Sequence, residues 1–413
     1  MFVAASLAAQ STRLWVLRAP GEAVEYDSAT FAEKQTVKVP AEAVASPQNF
    51  SVNHLGQMLF AEPVSLPLAE DDFAAERKVW LWNGHAATTF SREVARTTST
   101  TGSNLSIAES APVPYLSRDG MHLYWFSNQA RRLQRDGVDL STRTTWLSWR
   151  TDLAGGAREV VTSIALPDCS CPTGSCEDDC PYGVVWVPDE GVGTFFLMTQ
   201  FVVGQTQLLY KATSLYEESA GEWTARSVNP PLRRVLDAAN ASTILEAIPD
   251  TACCGWENES DDRTLLHQQG KTLTVFDEQA AYGNPDYDVS FYRENGKLSP
   301  DLASVALTIV ATSQPNTPIQ LAENGQPNPE ESQRIRKALL DLPAVEVKSI
   351  AAKSGEDAAP RAAFLPHAIL VGWISSKKIV IIEDHLLVVY DVASGARRKS
   401  NIRVEDAAHV FLR

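Results

Sequence analysis

The chain reads as short apolar runs separated by polar turns, with little of the 3.6-residue period expected of helices. Leu14–Arg18, Val24–Asp27, Val113–Leu116, His122–Phe126, Thr145–Trp149, Lys378–Glu383 and Leu386–Asp391 are rich in β-branched and aromatic residues and read as strands. The clearest unit is Val388-Val389-Tyr390-Asp391-Val392-Ala393-Ser394-Gly395-Ala396, an apolar strand that leaves through Tyr-Asp into a Ser-Gly turn. Looser copies are Val24–Thr30, Leu147–Gly156 and Leu273–Glu278. In each, Asp can hold the backbone two residues on, which reverses the chain.

A second kind of turn alternates with the first. It occurs at Ser117-Arg118-Asp119-Gly120, Pro188-Asp189-Glu190-Gly191, Glu259-Ser260-Asp261-Asp262 and Ser299-Pro300-Asp301-Leu302. Looser forms are Asn53-His54-Leu55-Gly56 and Ser375-Ser376-Lys377-Lys378. Two alternating turns recurring along an all-β chain predict a radial repeat, a β-propeller. Six anchors give six units. The first three strands lack an inner partner, and the leftover apolar Ala408–Arg413 can supply it. That makes seven four-stranded blades in a ring closed by the C-terminal strand, and removes both free sheet edges. Six or eight blades, or a pair of β-sandwiches, are the rivals.

Several stretches interrupt the pattern. Residues 91–110 are rich in Ser and Thr and read as an exposed connection; Leu232–Ala239 fits a short helix; and Ala252–Trp256 reads as the first strand of the fifth unit. Residues 165–183 form a Cys-rich insertion, and 313–345 a loop and helix insertion whose helical spacing covers Glu330–Leu340. The propeller domain is expected over 11–413. Residues 1–10, with the small apolar stretch Phe2–Gln10 but no basic residue before Arg13, read as a shortened export signal, or else as a short first strand or an ordinary N-terminus.

The Ser-Arg-Asp-Gly and Ser-Pro-Asp turns, with Val-Tyr-Asp-Val-Ala-Ser-Gly, resemble the WD40-like, TolB-type propeller repeats of bacterial exported proteins. The resemblance spans most of the chain. It implies a propeller fold and a periplasmic or extracellular binding or scaffolding role, and it carries over no catalytic residue.

Composition narrows the partners. The 413 residues are 44% hydrophobic, so a packed core is expected. A net charge of −15 repels nucleic acid and anionic membranes. No run approaches the roughly 20 apolar residues of a membrane span, and a monomer is expected.

All six cysteines lie in two clusters, Cys169, Cys171, Cys176 and Cys180 in the insertion, and Cys253 and Cys254 beside Trp256. If the clusters share one end of a propeller, they can meet. Three disulfides stapling the insertion are one reading. Metal ligation, for instance of Zn, and redox thiols are the others, although the spacing matches neither paired C-x2-C sites nor ferredoxin runs. The neighbouring Glu177, Asp178 and Asp179, and the acids after Trp256, form solvated turns or a Ca site; with Trp256 they mark a possible binding face. No phosphate loop, nucleophile elbow or HExxH is present. The expected function is recognition of a protein, peptide or glycan on the loop face near the central channel, without a cofactor. The alternative is a propeller-type hydrolase or lyase using Asp or Glu at the channel mouth, signalled by two carboxylates converging with a His or Arg.

Overall fold

The computed structural model describes residues 12–63, 73–82, 88–100, 105–109, 112–135, 138–153, 159–165, 169–170, 182–203, 208–219, 222–249, 261–268, 270–277, 289, 291–311, 329–350 and 361–413. These form a seven-bladed β-propeller, each blade an antiparallel sheet of four strands. Blade 1 holds β1 (Arg13–Arg18), β2 (Glu22–Asp27) and β3 (Glu33–Lys38). Blade 2 holds β4 (Phe50–Val52), β5 (Met58–Ala61), β6 (Phe73–Trp82) and β7 (Thr88–Thr100). After β8 (Leu105–Glu109), blade 3 holds β9 (Val113–Leu116), β10 (His122–Arg135), β11 (Val138–Asp152) and β12 (Glu159–Ala165), with β13 (Cys169–Ser170) beside β11.

Blade 4 holds β14 (Tyr182–Trp186), β15 (Phe195–Val203), β16 (Leu208–Ser219) and β17 (Glu222–Leu232). Blade 5 holds β18 (Arg234–Asn240), β19 (Thr243–Pro249), β20 (Asp261–Gln268) and β21 (Lys271–Asp277). Blade 6 holds β22 (Phe291–Leu298), β23 (Ser304–Ala311), β24 (Ala344–Ser349) and β25 (Arg361–Pro366). Blade 7 holds β26 (Ala368–Ser375), β27 (Lys378–Glu383), β28 (Leu386–Asp391) and β29 (Arg397–Arg403).

The ring closes as its ends predict. β30 (Val410–Leu412) lies against β1 with Val16 opposite Val410, Trp15 opposite Phe411 and Leu14 opposite Leu412. Thus the last strand of the chain is the innermost strand of blade 1.

Blades stack face to face, so their middle strands are covered on both sides. This explains the unbroken apolar runs: β1, β27 and β28 are buried at four or more consecutive positions. The fourth strands β3 and β29 face solvent and are mostly exposed. The core is consequently a set of clusters between blades. One joins Leu14, Val16 and Val24 of blade 1 to Val380, Ile382 and Val389 of blade 7; another joins Trp15 and Leu17 to Phe50, Phe60 and Trp82 of blade 2.

Because neighbouring strands run in opposite directions, connections between first and second strands share one face, here the lower, with those between third and fourth. The remaining connections lie on the upper face. Five of the six anchor turns join first to second strands. In blades 3 and 6 they are built alike. The Ser117 hydroxyl accepts from the His122 amide at 2.9 Å, and that of Ser299 from the Ser304 amide at 2.9 Å. Each hydroxyl donates to the Asp two residues on, at 2.5 and 2.7 Å. The Tyr-Asp turns join third to fourth strands, with Asp27 accepting from the Ala29 amide at 2.9 Å and Asp391 from the Ser394 amide at 2.9 Å.

Blade 5 corrects the sequence reading. Its first strand is β18, where a helix was expected at Leu232–Ala239, and its first turn is Asn240–Thr243. Of the anchor expected at Glu259–Asp262, the described Asp261 and Asp262 begin the third strand, and Asp277 ends a fourth strand rather than a third. The Ser/Thr-rich stretch expected as an exposed connection is strand at its described residues, 91–100 and 105–109. β8 pairs with both β7 and β10, which fuses blades 2 and 3 into one ten-stranded sheet through the extended fourth strand of blade 2 and the long second-to-third hairpin of blade 3. The helix expected at Glu330–Leu340 is α2 (Pro329–Asp341), which packs Ile335 and Leu339 onto the core between blades 5 and 6. Before blade 2, one further short helix, α1 (Ala41–Ala45), crosses the upper face.

Candidate functional site

The inner strands of six blades enclose a channel along the ring axis, with a cavity of about 880 Å³. The inner edges of these strands line it, with Phe50–Val52, Val371–Trp373 and Val410–Leu412 among the lining residues. Part of its wall is aromatic and apolar, with Trp373, Phe411, Tyr115 and Ile369. The Trp373 indole donates to the Lys297 carbonyl at 3.0 Å and is held in place by that bond.

The lower end of the channel is charged. Asp189 sits in the first turn of blade 4 and Lys297 near the end of β22 in blade 6, and the ammonium hydrogen-bonds the carboxylate across the space in front of blade 5. On β18, Asp237 accepts from the Leu298 amide at 2.8 Å. Arg413 lies past the end of β30, where its Nε donates to the Val52 carbonyl at 2.5 Å. Four blades thus contribute to one charged group.

The protein around these groups sets their charge. Burial pushes the Asp189 carboxyl up, but the Lys297 ammonium, then Arg413, outweigh it and hold the group below the usual carboxylate range. Asp189 keeps 53% of its side-chain surface open to the channel while the blades around it displace bulk water. Asp237 goes the other way: burial raises it, Lys297 opposes, and the nearby Asp189 adds to the rise. For Lys297, burial disfavours the ammonium, but Asp189 and Asp237 keep its pKa above the ordinary lysine value. The group therefore holds one carboxyl whose pKa is lowered, an ammonium whose pKa is raised and a second carboxyl whose pKa is raised.

Further out, Arg118 of blade 3 meets Glu190 of blade 4 at 3.4 Å, and His54 of blade 2 approaches the same carboxylate at 3.9 Å. Gln57 donates to the Gly120 carbonyl at 3.1 Å. These contacts tie the lower turns of blades 2, 3 and 4 together around the channel mouth.

The residues singled out from sequence fall elsewhere. Cys171, Cys176, Cys180, Cys253, Cys254, Glu177, Asp178, Asp179 and Trp256 lie outside the described residues. Cys169 is in β13, opposite Thr142 near the tip of the long hairpin of blade 3. The second cysteine pair belongs to the connection between β19 and β20, not to a first strand, and that connection opens from the upper face, as does the link from blade 3 to blade 4. Among the described residues, no three His, Cys, Asp or Glu side chains are grouped to hold a metal ion, and no helix is long and apolar enough to cross a membrane.

Sequence reading placed Asp189 in a turn but missed Lys297, Asp237 and Arg413. The available signal was charge on inner strands, where Lys297 and Asp237 interrupt otherwise half-buried segments.

No protein-family model matches the chain, and no curated protein matches it. Solved structures do. Apo AztD from Citrobacter koseri is 10% identical over 97% of this chain and 98% of its own, with a TM-score of 0.41. Dipeptidyl peptidase 4 of Porphyromonas gingivalis is 8% identical over 97% of this chain and 59% of its own, with a TM-score of 0.46. The WD40 domain of fission-yeast SCAP is 8% identical over 96% of this chain and 85% of its own, with a TM-score of 0.35. Likenesses this distant carry no functional weight, and the propeller assignment stands on the strand pairing itself.

Proposed function

We propose that the protein is a binding protein that takes an extended ligand, a segment of peptide or glycan, into the mouth of its central channel. The observation that carries this reading is the combination in one cavity of an aromatic wall at Trp373 and Tyr115 with the fixed charges of Asp189, Lys297 and Arg413. Ligand sites are concave, largely apolar, and carry a few placed polar groups; this channel has that make-up on a rigid ring. The test is binding of the full chain to immobilised peptide and glycan panels, repeated with Trp373→Ala and Lys297→Met. Ligands that bind the parent protein should lose affinity at least about tenfold with each variant. Binding untouched by both variants would refute the channel as the site.

A second reading, a hydrolase or lyase, is favoured by one observation. Asp189 and Asp237 flank Lys297, with Arg413 in reach, and their acidities are driven apart. Carboxyl pairs separated in this way suit general base and general acid roles. Turnover of chromogenic ester or glycoside substrates that disappears in Asp237→Asn, while ligand binding persists, would select this reading over simple binding.

Export belongs to the same proposal, as do the TolB-type kinship and stapling of 165–183 by disulfides. The Phe2–Gln10 stretch and the even, clustered cysteines support it. Alkylation under denaturing, non-reducing conditions tests the staple: six labelled cysteines would eliminate it.

A further inference from the structure

The joint between blades 7 and 1 opens on the upper face into a second cavity of about 690 Å³, apart from the channel. Its floor is apolar. Leu17 at the end of β1 and Val404 just past β29 are 3% and 5% exposed, and Pro20 and Val44 continue the same surface. Its rim carries Arg18, Arg403, His385 and His409 together with one carboxylate, Glu405.

Not every cation on the rim is available. Arg18 is engaged by Glu22 at 3.3 Å, by Glu33 at 3.6 Å and by the Tyr26 hydroxyl at 3.2 Å. His409 spans Asp406 at 2.9 Å and the Val44 carbonyl at 3.1 Å. Arg403 differs. Among the described residues its guanidinium has no hydrogen-bond or ion-pair partner, although it is exposed at the cavity edge. Five donors in a planar fork match a carboxylate two at a time.

His385 stands beside it. The turn from β27 to β28 places both Asp384 (φ 52°) and His385 (φ 63°) in the left-handed region, where a two-residue hairpin ordinarily uses Gly. The His385 carbonyl accepts from the Val404 amide at 2.9 Å, which pins the turn against the strand carrying Arg403. A bulky side chain kept at a strained position beside a cavity points to use of that side chain.

We propose that this seam cavity binds a small amphipathic monocarboxylate, with the apolar body on Leu17, Pro20, Val44 and Val404 and the carboxylate on the Arg403 fork, assisted by the His385 ring. The volume suits a ligand of this size. Glu405 lines the same rim, and its negative charge disfavours a dianion more than a monoanion; inorganic phosphate moreover has no apolar body for Leu17, Pro20, Val44 and Val404 to cover. The free acid is the occupant; a peptide C-terminal carboxylate shares its chemistry but needs room for a chain leaving the cavity.

Octanoate is the probe, titrated into the full-length protein by calorimetry beside 1-octanol, inorganic phosphate and an octapeptide ending in Leu with a free carboxylate. Octanoate should bind, and Arg403→Gln should weaken it about tenfold or more, the worth of one charge-assisted fork. His385→Gly, which relieves the strained turn, should leave folding intact and weaken octanoate a few-fold. Trp373→Ala should leave octanoate unchanged, which separates this site from the channel. The proposal is overturned if octanoate shows no binding at millimolar concentration, if 1-octanol or phosphate binds as well, or if Arg403→Gln binds like the parent. Tighter binding of the peptide than of octanoate would overturn the free acid as occupant.

Discussion

Closure of the ring by β30 can be tested at Phe411. This residue is 9% exposed and meets Phe50 of blade 2 edge-on, with ring centroids 5.4 Å apart and planes at 61°. Phe411→Ala removes a buried ring from the cluster containing Trp15, Phe50 and Trp82, a change that typically costs about 3–5 kcal/mol. Unfolding entropy near 60 °C is roughly 2.1 cal/mol/K per residue, or about 0.9 kcal/mol/K for 413 residues. A loss of about 4 kcal/mol therefore corresponds to a fall in Tm of about 4–5 °C. Scanning calorimetry measures the shift, and urea unfolding of Phe50→Ala, Phe411→Ala and the double variant measures their coupling. An edge-on aromatic pair should give a coupling of about 0.5–1.5 kcal/mol. Leu340→Ala is the control, since Leu340 is 60% exposed on α2. If Phe411→Ala lowers Tm no more than Leu340→Ala, or the two Phe positions do not couple, the C-terminal segment is not part of blade 1.

Gly191 and Gly270 form a matched pair. Both have φ near +80°, but a Cβ on Gly191 would fall 1.8 Å from the Leu116 carbonyl of blade 3, while one on Gly270 meets nothing within 4 Å. Gly270→Ala should cost about 1–2 kcal/mol for the left-handed conformation alone. Gly191→Ala should cost clearly more, about 3 kcal/mol or beyond, because a backbone carbonyl must move; equal losses in urea unfolding would contradict this packing of blade 4 on blade 3. Asp27 and Asp391 are held below the usual carboxylate range chiefly by hydrogen bonds from Thr30 and Ser394, Asp301 by that from Ser299. Groups lowered on folding contribute stability above their unfolded pKa of about 3.9 and lose it as pH falls through the folded value. Stability should therefore drop below about pH 4, and Asp27→Asn with Asp391→Asn should flatten that drop in acid titrations followed by circular dichroism. Burial, with Glu218 adding, pushes the Tyr124 phenol up to about 12. A raised phenol stabilises the fold below its unfolded pKa of about 10 and ceases to do so as pH rises through the folded value. Tyr124→Phe should accordingly reduce the loss of stability between about pH 10 and 12, and an unchanged alkaline limb would disprove the shift.

What local chemistry could decide was readable from the sequence. Ser117, Asp119, Ser299 and Asp301 bond their own neighbours, so their turns were visible without a fold. The unbroken apolar runs of β1, β27 and β28 announced strands covered on both faces, and the unpaired ends of the chain announced each other. Stretches whose pairing is non-local were misread. β18 carries Leu and Ala, good helix formers, and is only half buried, so no apolar run marked it as a strand. β7 and β8 are polar yet become strands by pairing above blades 2 and 3.

The channel charges were decided by tertiary structure alone. Asp189, Asp237, Lys297 and Arg413 are scattered over more than half the chain. What joins them is the ring, which turns the inner end of every blade toward one axis; a strand's alternation tells which side chains share a face, but only closure tells which faces look at each other. The same holds for Arg403 and His385 with Leu17: residues from the last blade and the first become neighbours because the chain ends beside its beginning.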